Sequence, residues 1–179
     1  IEHRWMFNNV ALVIALVLCF VIVFCVSFAI YCYSNLRIGM EEKAETTANF
    51  FGNYINQNYD DYYQSCIRFA QNFDEKNHME LQFVSPGGEI VASSGDRWVG
   101  KVLGTSDIAQ SVASREISGF HGRDPATGER IMAVSSPMIY SDGEVIGVLR
   151  YVTSMRLMDR QIVYVAGVSL MALLLMVLI

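Results

Sequence analysis

An uncharged apolar stretch near the start of the chain constrains its fold more than any other feature. The stretch runs from Val10 to Tyr33 and holds 24 residues without Asp, Glu, Lys or Arg. Because an α-helix rises about 1.5 Å per residue, about 20 apolar residues cross the hydrocarbon core of a membrane. The stretch is longer than the apolar region of a signal peptide, and no small-residue cleavage site follows it. It therefore predicts a retained transmembrane helix at residues 10–33.

A second apolar stretch, residues 162–179, ends the sequence. It has no charged residue and just reaches the minimum length of a transmembrane helix, about 17 residues. We expect a second transmembrane helix that is cut short, in a piece of a longer protein. Two spans put both ends of the chain on one side of the membrane, which we take as the cytoplasmic side. Residues 1–9 are then a short cytoplasmic N-terminus, and residues 34–161 form an extracytoplasmic domain.

The composition of residues 34–161 excludes several functions. The chain has 13 Lys/Arg and 18 Asp/Glu, and only Arg4 and Glu2 lie outside this region, which leaves 12 basic and 17 acidic residues. A domain that is acidic by five charges is a poor partner for nucleic acid. Cys66 is its only cysteine, and its histidines form no metal-ligand pattern with nearby carboxylates. We expect no metal, no cofactor and no catalytic residues, since no catalytic motif occurs either.

A long helix is predicted over residues 35–76. Apolar residues recur there every three or four positions, which is the period of one helix face. They are Leu36, Met40, Ala44, Ala48, Phe51, Ile55, Tyr59, Tyr62, Cys66, Phe69 and Phe73. We expect the half of this stripe after Phe51 to pack inside its own domain. The half before Phe51 is expected to pair with a second copy, in a homodimer formed through the long helix and the transmembrane helices.

Residues 79–155 show the pattern of five strands and one short helix. Gly87–Gly88 and Asp142–Gly143 each lie between two extended runs and predict two-residue hairpin turns. The short helix is expected to be capped by Ser106 or Asp107, with Ile108 and Val112 on its inner face. The order of elements predicts an α+β fold in which a long N-terminal helix precedes a central antiparallel five-stranded sheet.

The last hairpin can be paired residue by residue. With the turn at Asp142–Gly143, the predicted pairs are Tyr140–Val145, Ser135–Arg150 and Ala133–Val152. Both faces of this hairpin are mainly apolar, so both need a cover. We expect the long helix to cover one face and residues 96–119 to cover the other.

Arg150 is the charged residue of this apolar strand, and two interpretations of it remain open. A buried guanidinium needs an anion or several acceptors. Arg150 either pairs with an internal carboxylate such as Asp107 or emerges at the sheet edge, or it binds a small anionic or polar ligand beside the small side chain of Ser135. Four further residues lie on segments that could reach the same pocket: Trp98, Arg130, His121 and Arg123.

Three segments of the sequence resemble a known type of receptor domain. They are "FVSPGGEIVASS", "RWVGK" and "IMAVSSPMIYSDGEVIGVLRYVTSMRLMDRQI", which leads into the second apolar stretch. Together with the order of elements over residues 35–179, they resemble the PAS-like single Cache (PDC) sensor of bacterial transmembrane receptors. The resemblance is strongest to histidine kinases of Gram-positive bacteria, of the phosphate-response and cell-wall-response type.

The resemblance implies a function and its partners. The chain would be the sensing input region of a two-component histidine kinase in a bacterial cell membrane. Its stimulus would be a small anionic or polar ligand or a partner in the cell envelope, and its response regulator would be a partner of the missing cytoplasmic part. The same sensor also heads chemoreceptors and diguanylate cyclases, so these remain alternatives. A protein-binding or mechanical module is a further alternative, and a filled space beside Arg150 would favour it.

Overall fold

Four helices and five strands make up the described part of the chain. The computed structural model describes residues 2–54, 59–95, 98–125, 127–140 and 143–178, with side chains for all of these except 2–11, 53–54, 59–60, 174 and 176–178. In chain order the elements are α1 (Glu2–Tyr54), α2 (Tyr59–Gln71), β1 (Glu80–Val84), β2 (Ile90–Ser93), α3 (Ser106–Ser114), β3 (Ser118–Arg123), β4 (Arg130–Ile139), β5 (Val145–Ser154) and α4 (Arg156–Leu178). They form two compact units, one of residues 1–35 with 156–179, the other Leu36–Met155.

The first unit contains the start of α1 and the whole of α4. Among the described residues, the segment Leu12–Gly52 of α1 is long and apolar enough to cross a membrane, with a mean hydropathy of 3.2 in its most apolar window. The described residues of α4 do not meet the same criterion, so the second span stays a prediction. Within this unit the hydroxyl of Tyr33 donates a hydrogen bond of 2.5 Å to Oδ1 of Asp159 and joins the two helices.

The second unit is built on a five-stranded antiparallel sheet, which confirms the predicted fold class. The strand order is β2-β1-β5-β4-β3, so β5 lies in the centre between β1 and β4. Alternate residues of β5 point to opposite faces, and both faces are buried: Val148, Leu149 and Tyr151 are all 3% exposed or less. A central strand buried on both faces requires helices on both sides of the sheet.

Helices α1 and α2 cover the first face. The ring of Phe51 on α1 packs edge-on against Phe83 of β1, with 4.8 Å between ring centroids. Thr47 on α1 is within hydrogen-bond distance of the hydroxyl of Tyr151 on β5, at 3.2 Å. In the described part of the predicted long helix, α1 ends at Tyr54 and α2 at Gln71, earlier than the predicted residue 76. Residues 55–58 lie outside the described residues.

The predicted division of the apolar stripe is wrong in its first half. Met40, Ala44, Ala48 and Phe51 are between 0% and 3% exposed in this single chain. Small residues at Ala44 and Ala48 bring the helix backbone close to the sheet, so this face is occupied by the chain's own domain. A second copy would have to use another face of α1.

Both hairpin turns are one residue longer than the sequence predicted. Ser85 and Glu89 are joined by a backbone hydrogen bond, and so are Tyr140 and Glu144, each at 2.8 Å. The loops therefore hold three residues and end on Gly88 and on Gly143, which have φ angles of 88° and 86°. Three-residue hairpin loops need a left-handed residue at the end, and glycine adopts it without strain. Ser141 and Asp142 lie outside the described residues.

Helix α3 covers the second face of the sheet, as predicted for residues 96–119. Its N-cap is Thr105 rather than Ser106 or Asp107, and the Thr105 side chain makes no capping hydrogen bond. The inner face is as expected, because Ile108 joins a buried cluster with Val84, Ile90 and Val148, and Val112 packs against it. This packing holds the first turn of α3 directly above β5.

Candidate functional site

Arg150 is buried under α3 and its guanidinium is held on three sides. Its Nε donates to Oδ2 of Asp107 at 2.7 Å, and the two side chains are 2% and 0% exposed. Its Nη1 donates to Oε1 of Gln82 at 2.9 Å and its Nη2 to Oγ1 of Thr105 at 3.2 Å. The structure therefore supports the internal ion pair, one of the two interpretations left open by the sequence.

A row of polar residues crosses the whole sheet at the level of Arg150. The strand registers place Ser93 opposite Gln82, Gln82 opposite Arg150, Arg150 opposite Ser135, and Ser135 opposite Ser118. All five are buried. We call these five residues the polar row. Buried polar groups are costly unless they are hydrogen-bonded, so the row needs its partners on α3 and on the neighbouring strands.

Asp107 is the partner that α3 supplies. Burial alone would raise the pKa of its carboxyl, but the charge of Arg150 and the hydrogen bonds from Arg150 and Ser135 hold that pKa below its ordinary value. Ser135 donates to the same oxygen, Oδ2, at 2.8 Å. Within the described residues, the other oxygen, Oδ1, and the hydroxyl of Ser111 one turn later make no hydrogen bond. The Asp107 carboxylate thus binds Arg150 and Ser135 of the sheet through the single oxygen Oδ2.

A cleft of about 280 Å³ opens beside the polar row. Val152 and Ile131 form part of its floor, and register places both on the same face of the sheet as Arg150. Its polar wall includes Lys76, His78, Glu80, Asp124 and Glu129. Among the described residues, no group of three His, Cys, Asp or Glu side chains has the arrangement of a metal site. The cleft is slightly smaller than the usual small-molecule pocket of about 300–1,000 Å³, and its lining is more polar.

The carboxylates of the cleft are held by different neighbours. Oε1 of Glu80 accepts hydrogen bonds from Nε2 of Gln82 at 3.0 Å and from the hydroxyl of Ser93 at 2.5 Å. Glu129 accepts from Ser154 at 2.6 Å. Of these two carboxylates, Glu80 is the one that contacts the polar row.

Two of the residues that we predicted beside Arg150 are placed close to it or to the cleft. Ser135 is in the polar row, directly opposite Arg150. Trp98 packs against the apolar cluster under α3 and also lines the cleft, and Nζ of Lys101 lies 4.5 Å from its ring centroid.

The other three predicted residues lie on the opposite face of the sheet. Arg130 is an odd number of positions from Ser135 on β4, so its side chain belongs to the other face. His121 and Arg123 pair with Met132 and Arg130, which puts them on that face as well. All three are exposed. The expectation that they reach the space of Arg150 is not met.

Gln82 and Thr105 contact Arg150 but were not predicted from the sequence. Gln82 is a polar residue inside an apolar strand, "ELQFV", and this was an available signal. Its contact with Arg150 depends on the pairing of β1 with β5, which are 60 or more residues apart along the chain. Nothing local in the sequence fixes that pairing.

Comparison with known proteins supports the fold and leaves the family open. No protein-family model and no curated protein matches the chain. Among solved structures, the sensor domain of Escherichia coli DcuS is similar, with a TM-score of 0.50 at 13% identity over 70% of this chain and 96% of that one. The periplasmic domain of Chlamydia trachomatis RsbU has a TM-score of 0.51 at 13% identity, over 82% of this chain and 56% of that one.

A chemoreceptor domain is similar to the same degree. The ligand-binding domain of the Pseudomonas aeruginosa amino acid chemoreceptor PctC, solved in complex with GABA, has a TM-score of 0.50 at 14% identity. The match covers 74% of this chain and 60% of that one. The fold of the second unit is thus the Cache-like α+β fold of bacterial sensor domains.

Proposed function

We propose that this chain is the extracytoplasmic sensing input region of a two-pass bacterial sensor histidine kinase. The observation that carries the proposal is the direct connection of β5 to α4. β5 holds Arg150 at the centre of the sheet and ends at Ser154, and α4 begins at Arg156 after a single intervening residue. Because only one residue separates the strand from the helix, a change in the packing of β5 would move the start of α4, which leads into the predicted second span.

The finer assignment rests on the sequence resemblance. We propose a kinase of the Gram-positive phosphate-response or cell-wall-response type, whose cytoplasmic part would act on a response regulator. The similarity to PctC favours a chemoreceptor as the second candidate, and a diguanylate cyclase remains the third. The coding sequence that follows residue 179 separates them, since a kinase core, a long coiled coil and a cyclase domain have different sequence patterns.

We propose the cleft, and not Arg150, as the place where a small molecule binds. The guanidinium of Arg150 is occupied by Asp107, so an anionic ligand would first have to displace a buried carboxylate. The cleft instead offers carboxylate oxygens from Glu80, Asp124 and Glu129. This chemistry suits a small polar ligand that carries N–H or O–H donors, which is the polar alternative of the small anionic or polar ligand that the sequence suggested.

The filled space beside Arg150 also supports the alternative of a protein-binding or mechanical sensor. Thermal unfolding of the chain in lipid nanodiscs distinguishes a small-molecule sensor from a protein-binding or mechanical one. The probes are amino acids, small carboxylic acids and cell-wall peptides. A probe at 100 times its dissociation constant should raise stability by about 2.7 kcal/mol. Loss of that shift in Glu80→Gln, with retention in Arg130→Gln on the opposite face, would support the cleft. If every probe leaves the melting temperature unchanged, a partner in the cell envelope becomes the preferred stimulus.

We also propose a homodimer, through a different face of α1 from the one the sequence suggested. Ile38 is 49% exposed on the part of α1 that belongs to the second unit. Exposed apolar side chains on a helix that also carries a transmembrane segment suit pairing with the same helix of a second copy. Disulfide formation between copies carrying Ile38→Cys, compared with Lys43→Cys about 140° around the same helix, tests this interface.

A further inference from the structure

We infer that Glu80, in the wall of the cleft, is coupled to helix α3 through Gln82, Arg150 and Asp107. The inference rests on the proposed function, because it states how occupancy of the cleft reaches the rest of the domain. It assigns Gln82 as a positioning residue, which acts through its neighbours and not by contact with a ligand.

The coupling follows a continuous line of hydrogen bonds. Nε2 of Gln82 donates to Glu80 at 3.0 Å, and Oε1 of the same amide accepts from Nη1 of Arg150 at 2.9 Å. Nε of Arg150 then donates to Asp107 at 2.7 Å. The line starts at the cleft, crosses from β1 to β5, and ends in the first turn of α3.

The chemistry of the four groups fixes the direction of every bond. A guanidinium can only donate and an ionised carboxylate can only accept. The Gln82 amide must therefore turn its oxygen to Arg150 and its nitrogen to Glu80, and the opposite orientation would lose both bonds. Because both hydrogen bonds fix the orientation of one amide group, loss of either bond allows the amide to rotate and weakens the other bond.

Burial makes the hydrogen bonds of Gln82, Arg150 and Asp107 depend on the hydrogen bond at Glu80. Gln82, Arg150 and Asp107 are 3%, 2% and 0% exposed, whereas Glu80 is only partly buried. Water cannot replace a lost partner in the buried part, so loss of one bond weakens its neighbours. A ligand donor that takes Oε1 of Glu80 competes with the amide nitrogen of Gln82. The expected result is a looser hold of Arg150 on Asp107, and hence of β5 on α3.

Hydrogen–deuterium exchange of the whole chain in lipid nanodiscs tests the coupling without any ligand. Glu80→Ala should speed exchange of the α3 amides, residues 106–114, by about tenfold, the scale expected for a hydrogen bond to a charged group. Glu80→Gln keeps an acceptor oxygen for the Gln82 amide and should stay close to the wild type. Protected amides in β4 show that each variant is folded.

The matched control is Glu129→Ala. Glu129 lines the same cleft with the same charge, but its hydrogen bond from Ser154 lies away from the polar row. It should leave α3 exchange unchanged. In a Gln82→Met background, Glu80→Ala should add nothing further, because the link is already cut.

Two results would overturn the inference. One is unchanged α3 exchange in Glu80→Ala, and the other is equal acceleration in Glu80→Ala and Glu129→Ala. Either result concerns only the coupling and leaves the probe experiment on ligand binding to decide the proposed function separately.

Discussion

The side chain of Arg150 on the central strand and that of Asp107 on α3 form a buried ion pair, with 2.7 Å between Nε and Oδ2. The pair joins two layers of the domain at the point where the polar row crosses the sheet. Removing two charges from water costs about as much as their attraction returns, so such a pair adds little net stability. Its physical effect is to fix where α3 lies on β5, because few other positions would satisfy both charges.

The first prediction concerns loss of one member of this pair. Arg150→Ala should lower the free energy of unfolding by about 3–5 kcal/mol, since Asp107 is left buried without its counter-charge. The double variant Arg150→Met/Asp107→Leu should be far closer to the wild type. Denaturant unfolding of the chain in detergent measures both. Equal losses in the single and double variants would contradict this explanation, in which the cost comes from leaving Asp107 buried without its counter-charge.

The second prediction is a loss of stability in acid. The pKa of Asp107 in the folded chain lies below its ordinary value of 3.8. A carboxyl with a lowered pKa contributes stability above that ordinary value, and the contribution is lost as the pH falls through the folded pKa. The free energies of unfolding of wild type and Asp107→Asn should therefore differ at pH 7, and the difference should shrink progressively as the pH falls below about 4. A difference that stays constant down to pH 2 would exclude Asp107 as the source.

The outcome for the last hairpin shows what the sequence could predict. The predicted pairs Ser135–Arg150 and Ala133–Val152 are correct, although the pair Tyr140–Val145 is wrong. The turn holds one residue more than predicted, and a bulge between Met138 and Ile139 restores the register. Apolar alternation fixes register wherever both faces are buried, whereas turn length depends on backbone geometry that the motif Asp-Gly does not specify alone.

The candidate site was predictable only in part, for two different physical reasons. Asp107 and Ser135 could be foreseen as neighbours of Arg150, because hairpin register and the cover of one face place them there. Gln82 could not, since its position depends on a long-range strand pairing. The prediction that Arg130 reaches the space beside Arg150 was wrong and could have been avoided. The period of two along β4 already places Arg130 and Ser135 on opposite faces of the sheet.

The third prediction uses two glycines of α1 as a matched pair. A Cβ on Gly52 would lie 2.9 Å from the carbonyl oxygen of Ile139, whereas a Cβ on Gly39 would meet nothing within 4 Å. Gly52→Ala should push α1 away from β4 and cost about 1–3 kcal/mol of unfolding free energy. Gly39→Ala should be neutral or stabilising by up to about 1 kcal/mol, because alanine favours the helix. Thermal unfolding compares them, and similar effects of the two variants would contradict the close approach of α1 to the sheet.

The last prediction concerns the thiol of Cys66 on α2. The thiol is fully buried, and burial raises its pKa to about 12, so almost no thiolate exists at neutral pH. In a variant with Ser at Cys19, Cys25 and Cys32, a maleimide should label Cys66 only after denaturation. Gln64→Cys, exposed on the same helix and combined with Cys66→Ser, should label at once. Rapid labelling of Cys66 in the native chain would show that α2 opens from the sheet. The thiol could then form a disulfide between copies, whereas in the folded structure its burial prevents one.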